Sequence, residues 1–263
     1  MKVTLSVLYQ GGKLQFTHPT IALTELFYIA KELKFDGVDY ILTIPEVLTS
    51  NQNTLLLSKQ YKIPILGVHS PMHILFFTPS ILFQLLINVM RNFPDSEVYN
   101  FHLSGFIHPL QKNRKNLEKF VALAKNNNVS LSFESNPLLV GLQYYPRNTY
   151  DPELFAEYCI THNLSITFDT AHVAHCGYNI VTFFRKYHQQ IKLIHLSDSR
   201  GSIQHLPLGK GDLPIKELLQ EIKRKSYNQV LTFEISNFPK ETSTKQKTEE
   251  IRKSFDMVKR YSL

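Results

Sequence analysis

The sequence predicts an α/β fold, a single (β/α)8 TIM barrel over residues 1–263. Eight short apolar segments alternate with eight longer amphipathic ones, and this alternation indicates parallel strands joined by helices. The chain length is ordinary for one such barrel. An open doubly wound sheet is the rival fold, but it would usually carry a glycine-rich phosphate turn after the first strand. Gln10-Gly11-Gly12 is too short to be one.

The predicted strands are rich in Val, Ile, Leu and Phe, which is typical of parallel strands buried on both faces. In chain order they are Val3–Leu8, Gly37–Leu42, Ile65–His69, Val98–Leu103, Ser130–Glu134, Ser165–Asp169, Lys192–Leu196 and Val230–Ile235.

The predicted helices have apolar residues at helical spacing. They are Ile21–Leu33, Pro45–Tyr61, Ser80–Asn92, Asn113–Asn126, Pro152–His162, Asn179–Tyr187, Pro214–Lys225 and Lys245–Arg260. Asp151 and Asp212 stand just before helix-starting prolines, where a carboxylate caps the free backbone N–H groups. The segments Ser135–Tyr150 and Asp198–Leu213 are predicted to be irregular, and both follow strands, where barrel enzymes place their active sites.

The composition narrows the classes of protein to consider. Hydrophobic residues make up 43% and charged residues 19% of the chain, which excludes global disorder. The formal net charge of +7 would attract phosphorylated metabolites or nucleic acid, and it would equally serve solubility. Two cysteines without a CxxC pair indicate neither a disulfide framework nor a thiolate zinc site. The N-terminus lacks a signal pattern, and the apolar segment Ile74–Met90 is interrupted by polar residues, so we expect a cytoplasmic protein without a membrane span.

Ionisable residues fall at the C-terminal ends of six consecutive predicted strands. They are His69, His102, Glu134, Asp169, His195 and Glu234. Burying such groups costs several kcal/mol each unless they are paired or bind a metal. Because the strand ends of a closed barrel converge on one axis, these side chains are expected to meet. Their oxygen and nitrogen donors suit a divalent metal such as Mn²⁺, Zn²⁺, Mg²⁺ or Co²⁺.

Three runs in the second half of the chain identify a family. The runs Phe168-Asp169-Thr170-Ala171-His172, His195–Gly201 and His205–Asp212 resemble the xylose isomerase-like TIM barrel superfamily. That group includes sugar and sugar-phosphate isomerases and epimerases, and endonuclease IV-type enzymes that act at abasic DNA sites. The resemblance covers nearly the whole chain, and its most specific motifs lie between Glu134 and Glu234. It does not decide between the two branches.

The epimerase branch implies one metal ion and a small sugar or sugar-phosphate substrate. The positions that match its metal ligands are Glu134, Asp169, His195 and Glu234. In that branch the two glutamates would also be the catalytic acid/base pair on opposite sides of the substrate carbon. His172, and with it His69 and His102, would bind substrate.

The endonuclease branch implies up to three zinc ions and abasic DNA as the partner. The matching ligands are His69, His102, Glu134, Asp169, His172, His195, His205 and Glu234. One position departs from that pattern, because Ile203 stands where the branch has an Asp two residues before His205. The segment after His69 also lacks the aromatic residue that this branch uses against DNA. Sugar chemistry therefore ranks first, and a degenerate barrel without catalysis is a third alternative that the retained glutamates argue against. The sequence predicts no oligomeric state.

Overall fold

Eight parallel strands form a closed barrel in the computed structural model, which describes residues 1–6, 21–42, 51–71, 79–103, 114–136, 147–239 and 241–262. The barrel strands are β1 (Lys2–Ser6), β2 (Gly37–Ile41), β3 (Ile65–His69), β4 (Val98–His102), β5 (Leu131–Glu134), β6 (Ile166–Asp169), β7 (Ile191–Leu196) and β10 (Val230–Glu234). Each strand pairs with its neighbour in chain order, and the β1–β10 pairing closes the ring. The predicted fold class is confirmed, and the strands agree with their predicted positions to within about a residue wherever they fall in the described ranges.

The α-helices lie in the connections between the barrel strands and after β10. They are α1 (Leu23–Leu33), α2 (Gln52–Tyr61), α3 (Pro79–Asn92), α4 (Arg114–Asn126), α5 (Pro152–Thr161), α6 (Thr170–His175), α7 (Ile180–Tyr187), α8 (Ile215–Arg224) and α9 (Thr244–Tyr261). In α8 the residues Ile215, Leu218, Leu219 and Ile222 are buried, so one apolar stripe at helical spacing packs against the barrel. No helix within the described ranges combines the length and the hydrophobicity needed to cross a lipid bilayer. Both cysteines, Cys159 and Cys176, are free thiols.

A β-hairpin and a short helix were not predicted from the sequence. The segment Asp198–Leu213 is not wholly irregular, because β8 (Asp198–Arg200) and β9 (Ile203–Leu206) form an antiparallel hairpin within it. Such short strands show too few apolar alternations to be recognised. The short helix α6 follows β6 directly, because Asp169 caps it by accepting a hydrogen bond from the backbone N–H of His172 at 2.8 Å.

The predicted helix caps have different outcomes. Asp151 caps α5 and accepts from the backbone N–H of Leu154 at 3.2 Å, as predicted. The prediction for Asp212 was wrong. The residue before α8 is Pro214, and the Asp212 carboxylate instead accepts from Arg200 Nε at 3.3 Å, across the hairpin loop.

Alternating side chains give each strand end two different faces. The residue before the terminal ionisable group is phenylalanine in β4, β5, β6 and β10, namely Phe101, Phe133, Phe168 and Phe233, and all four are fully buried. The rings of three of them pack outwards on the helices. Phe101 lies 5.0 Å from Phe120 of α4, Phe168 lies 5.2 Å from Phe183 of α7, and Phe233 lies 6.2 Å from Phe255 of α9, between ring centroids. Because successive side chains of a strand point to opposite faces, the ionisable groups point into the barrel.

We expect Phe168→Ala to lower the free energy of unfolding by about 3–5 kcal/mol, because it removes a fully buried ring and leaves a cavity between β6 and α7. Urea unfolding followed by circular dichroism measures the change. Leu56→Ala is the control, since Leu56 is 63% exposed and its truncation should change stability little. A loss below about 1 kcal/mol for Phe168→Ala would contradict the packing described here.

Candidate metal centre

The six ionisable strand-end residues all lie buried at the C-terminal end of the barrel. Five of them are the last residues of their strands, and His195 is the last but one of β7. The register of adjacent strands places some of these residues side by side. His102 of β4 pairs with Glu134 of β5, and Asp169 of β6 pairs with His195 of β7. His172 reaches the same region from α6, and His205 reaches it from β9. The eight predicted site residues therefore surround one region.

The central group consists of Glu134, Asp169, His195 and Glu234, from four strands that are adjacent in the barrel. One ligand atom from each lies within 4.8 Å of those of the other three. His195 Nδ1 is 3.0 Å from Glu234 Oε2 and 3.4 Å from Glu134 Oε2. Three carboxylates thus share a small volume with one imidazole.

Several donor atoms of this group have no hydrogen-bond partner among the described residues. They are Asp169 Oδ2, His195 Nδ1 and Glu234 Oε2, all buried. His195 Nδ1 and Glu234 Oε2 are 3.0 Å apart, yet their orientation is not that of a hydrogen bond. Metal–ligand bonds of about 2.0–2.2 Å bring neighbouring ligand atoms to roughly this separation. The donor set therefore fits a divalent cation.

A second group shares Glu134 with the first. His69 Nε2 is 3.0 Å from Glu134 Oε2, and the rings of His69 and His102 meet edge to face at 5.2 Å between centroids. His102 Nδ1 is buried without a hydrogen-bond partner in the described structure. His69, His102 and Glu134 each offer a ligand atom within the spacing of a metal site.

A third group shares Asp169 with the first and adds His172 and His205. The centroids of the two imidazole rings are 5.8 Å apart. His172 Nδ1 is 3.1 Å from Glu134 Oε1, so the third group also contacts a residue of the central group. Ile203 is 47% exposed and brings no carboxylate to His205.

Burial and mutual repulsion perturb the acidic groups. Burial raises the pKa of Asp169 well above its ordinary value, and the charge of Glu234 adds to this rise although His172 opposes it. Burial would also raise the pKa of Glu134, but the imidazoles of His195 and His102 hold that pKa well below its ordinary value. The pKa of Glu234 is likewise lowered, because His195 outweighs burial.

The imidazoles divide into two kinds. Burial disfavours the charged form of each, and it lowers the pKa of His102 to about 3 and that of His205 to about 4. For His172 burial is outweighed by Asp169 and Glu134, so its pKa rises to about 9. The pKa of His195 is raised well above its ordinary value, because Glu234 and Glu134 outweigh burial. Protons on His172 and His195 thus offset the carboxylate charge in the protein without a cation.

Two residues that contact this site were missed in the sequence. Asn100 Nδ2 donates to Glu134 Oε2 at 2.5 Å, and Thr167 Oγ1 in turn donates to Asn100 Oδ1 at 2.8 Å. Asp39 accepts from His195 Nε2 at 3.2 Å. The available signal was a polar residue in the middle of an otherwise apolar strand, since Asn100 and Asp39 are fully buried in β4 and β2. Neither residue stands at the end of its strand, where the predicted site residues lie.

We expect divalent-cation binding to release protons and to strengthen as pH rises from about 6 towards 9. A cation competes with the protons held by His195, whose pKa is raised well above its ordinary value, and by His172, whose pKa is about 9. The proton on His172 is present below that pH and lost above it. Isothermal titration calorimetry in two buffers of different ionisation enthalpy measures the protons released. Binding without proton release, or with an affinity independent of pH, would contradict the electrostatics described above.

The comparisons with known proteins agree with the fold. The sequence matches the xylose isomerase-like TIM barrel family over residues 87–261, which is more than half of the chain. No curated protein matches the sequence significantly. Similar solved structures include a D-tagatose 3-epimerase-like protein at 21% identity and TM-score 0.69, with 99% of each chain covered. D-allulose 3-epimerase from Methylomonas sp., in complex with D-allulose, has 12% identity and TM-score 0.70, with 99% of this chain and 97% of that chain covered.

A third similar structure is that of an enzyme described as a dehydratase, which is not an epimerase. The probable 3-DHS dehydratase AsbF from Bacillus anthracis has 14% identity and TM-score 0.67, with 98% of this chain and 99% of that chain covered. These identities establish a shared fold and leave the reaction open. On the match over residues 87–261 and the closed barrel, the chain belongs to the xylose isomerase-like TIM barrel family.

Proposed function

We propose that the protein is a metal-dependent isomerase or epimerase that acts on a small sugar or sugar phosphate. The observation that carries this proposal is the central group, in which Glu134 and Glu234 face one volume together with Asp169 and His195. Two of the similar structures are described as a D-tagatose 3-epimerase-like protein and a D-allulose 3-epimerase, which supports sugar chemistry on this fold.

The four residues of the central group would hold the cation. The unpartnered atoms of Asp169, His195 and Glu234 support this assignment, and the oxygen-rich donor set suits Mn²⁺, Mg²⁺, Co²⁺ or Zn²⁺. When bound, the metal supplies a Lewis acid that makes the proton on the carbon next to a carbonyl group more acidic. The buried surroundings keep bulk water away from the reacting carbon.

The two glutamates would move the proton. Isomerisation and epimerisation take a proton from a carbon beside a carbonyl and return it at another position or on the other face. Glu134 and Glu234 end β5 and β10, and β6 and β7 lie between these strands, so the two carboxylates approach from different sides. Both have a lowered pKa, so both are ionised at neutral pH, which is the form that a general base requires.

The remaining imidazoles would bind the substrate oxygens. His172 has a pKa of about 9 in the metal-free site, so it can donate a hydrogen bond in its charged form. His102 has a pKa of about 3 and is neutral, with Nδ1 unpartnered among the described residues. His69 Nε2 is within hydrogen-bond distance of Glu134 Oε2, and its ring lies beside that of His102. These three side chains are the proposed substrate-binding groups.

A second candidate function is zinc-dependent hydrolysis of a phosphodiester at an abasic site in DNA. The favouring observation is that the second and third groups have ligand atoms within the spacing of further metal ions, sharing Glu134 and Asp169 with the centre. Up to three zinc ions would then be bound, and the net charge of +7 is compatible with a DNA partner. The exposed Ile203 argues against it, because the third ion would lack an anionic ligand beside His205.

The number of bound ions separates these candidates. Because the central group alone has four mutually close ligand residues, we expect one Mn²⁺ or Co²⁺ per chain by elemental analysis after loading and desalting. The same preparation should then exchange solvent deuterium into a ketose or its phosphate. Two or three zinc ions per chain, with cleavage of a duplex that contains an abasic site, would instead establish the hydrolase. Neither metal nor either activity would favour a barrel that has lost its reaction.

We expect Glu234→Gln to fold normally and to lose sugar turnover by about 10²–10⁴-fold or more. The substitution keeps the shape of the side chain but removes a base, and general acid–base assistance has about this value. Deuterium incorporation into the sugar is measured, with metal content determined in parallel.

The control for this variant is Glu217→Gln, which makes the same change at an exposed position of α8. Its rate of exchange should equal that of the parent protein. A fully metal-loaded Glu234→Gln protein that exchanges at the parent rate would remove Glu234 from the mechanism.

A further inference from the structure

We propose that Asp39 is a positioning residue, which holds the Nε2–H of His195 and thereby directs the Nδ1 lone pair of that imidazole to the cation. The inference rests on the proposed function in one respect, namely that His195 is a metal ligand. Asp39 lies in the middle of β2, outside the strand-end pattern, and is fully buried.

The two nitrogens of His195 face two different carboxylate environments. Nε2 lies 3.2 Å from Asp39 Oδ2 in hydrogen-bond geometry. Nδ1 lies 3.0 Å from Glu234 Oε2, on the side of the central group, without a hydrogen bond. The contact places an acceptor oxygen of Asp39 at Nε2, which favours the tautomer with its proton on Nε2 and leaves Nδ1 free to ligate. A carboxylate behind a ligating histidine fixes both tautomer and ring orientation.

Asp39 is itself held by residues of neighbouring strands. Thr232 Oγ1 donates to Asp39 Oδ2 at 3.2 Å, and the hydroxyls of Thr4 and Thr232 are 2.7 Å apart. Thr4 and Thr232 are register partners across the β1–β10 closure of the barrel. The carboxylate is therefore anchored by β1 and β10 as well as by its own strand.

Gly67 provides the space that the carboxylate occupies. It is the register partner of Asp39 on β3, and a Cβ at Gly67 would lie 2.6 Å from both Cγ and Oδ1 of Asp39. Any side chain at this position would push the carboxylate away from its present place. The contact with His195 therefore depends on a glycine at position 67.

The test compares the dissociation constant for Co²⁺ in the parent protein and in Asp39→Asn, measured by competition with a chelator. Asparagine keeps the size of the side chain but removes the charge and can present N–H to the ring. We expect the dissociation constant to rise about 10–100-fold, together with a changed visible absorption spectrum of the bound Co²⁺. Circular dichroism and the Tm of the metal-free variant should stay close to those of the parent protein.

The matched control is Asp36→Asn. Asp36 precedes β2 and its carboxylate accepts from the backbone N–H of Val3 at 2.7 Å, away from the site. A purely structural role for Asp39 would lower the Tm and leave the Co²⁺ constant unchanged, as expected for Asp36→Asn. That result for Asp39→Asn would overturn the proposal.

A second variant covers the case in which Asp39→Asn does not fold. Thr232→Val removes the hydroxyl that anchors Asp39 Oδ2, and it should raise the Co²⁺ dissociation constant by a smaller factor. An unchanged constant in Thr232→Val would then overturn the proposal.

If the parent protein itself binds no Co²⁺, the proposed function fails and this inference fails with it. Tight Co²⁺ binding by the parent that is equalled by the variants overturns the role of Asp39 alone.

Discussion

The alternation of side chains along the barrel strands is the constraint on which the rest of the structure depends. At three strand ends a phenylalanine packs outwards on a helix, and the next residue is an ionisable group that points inwards. A shift of one residue in register would put the ring into the site and the charge against the helices. The packing that stabilises the outer layer thus also orients the site, and both depend on closure between β1 and β10.

Closure has an electrostatic consequence. Glu134, Asp169 and Glu234 are brought together in a volume where burial disfavours their charged forms. Without a cation the protein relieves this repulsion by protonating His172 and His195 and by raising the pKa of Asp169. A divalent cation would replace those protons with one compact charge. The same carboxylates that would repel one another in this buried volume are therefore the groups that would select a metal.

Beneath the ionisable groups lies a layer of neutral and acidic residues that orients them. Asn100 fixes one oxygen of Glu134, and Thr167 orients that amide. Asp39 engages the far nitrogen of His195. These contacts run between strands inside the barrel, so the geometry of the site is maintained by rigid elements.

The sequence by itself determined the fold class, the barrel strands, most helices and the eight candidate site residues. It could do so because hydrophobic periodicity is local and because ionisable groups end apolar strands at recognisable positions. Only the tertiary structure decided the hairpin β8–β9, the partner of Asp212, and the contacts of Asp39 and Asn100. The physical reason is that His195 and Asp39 are 156 residues apart in sequence. Their contact exists only through closure and register of the barrel, which no local pattern encodes.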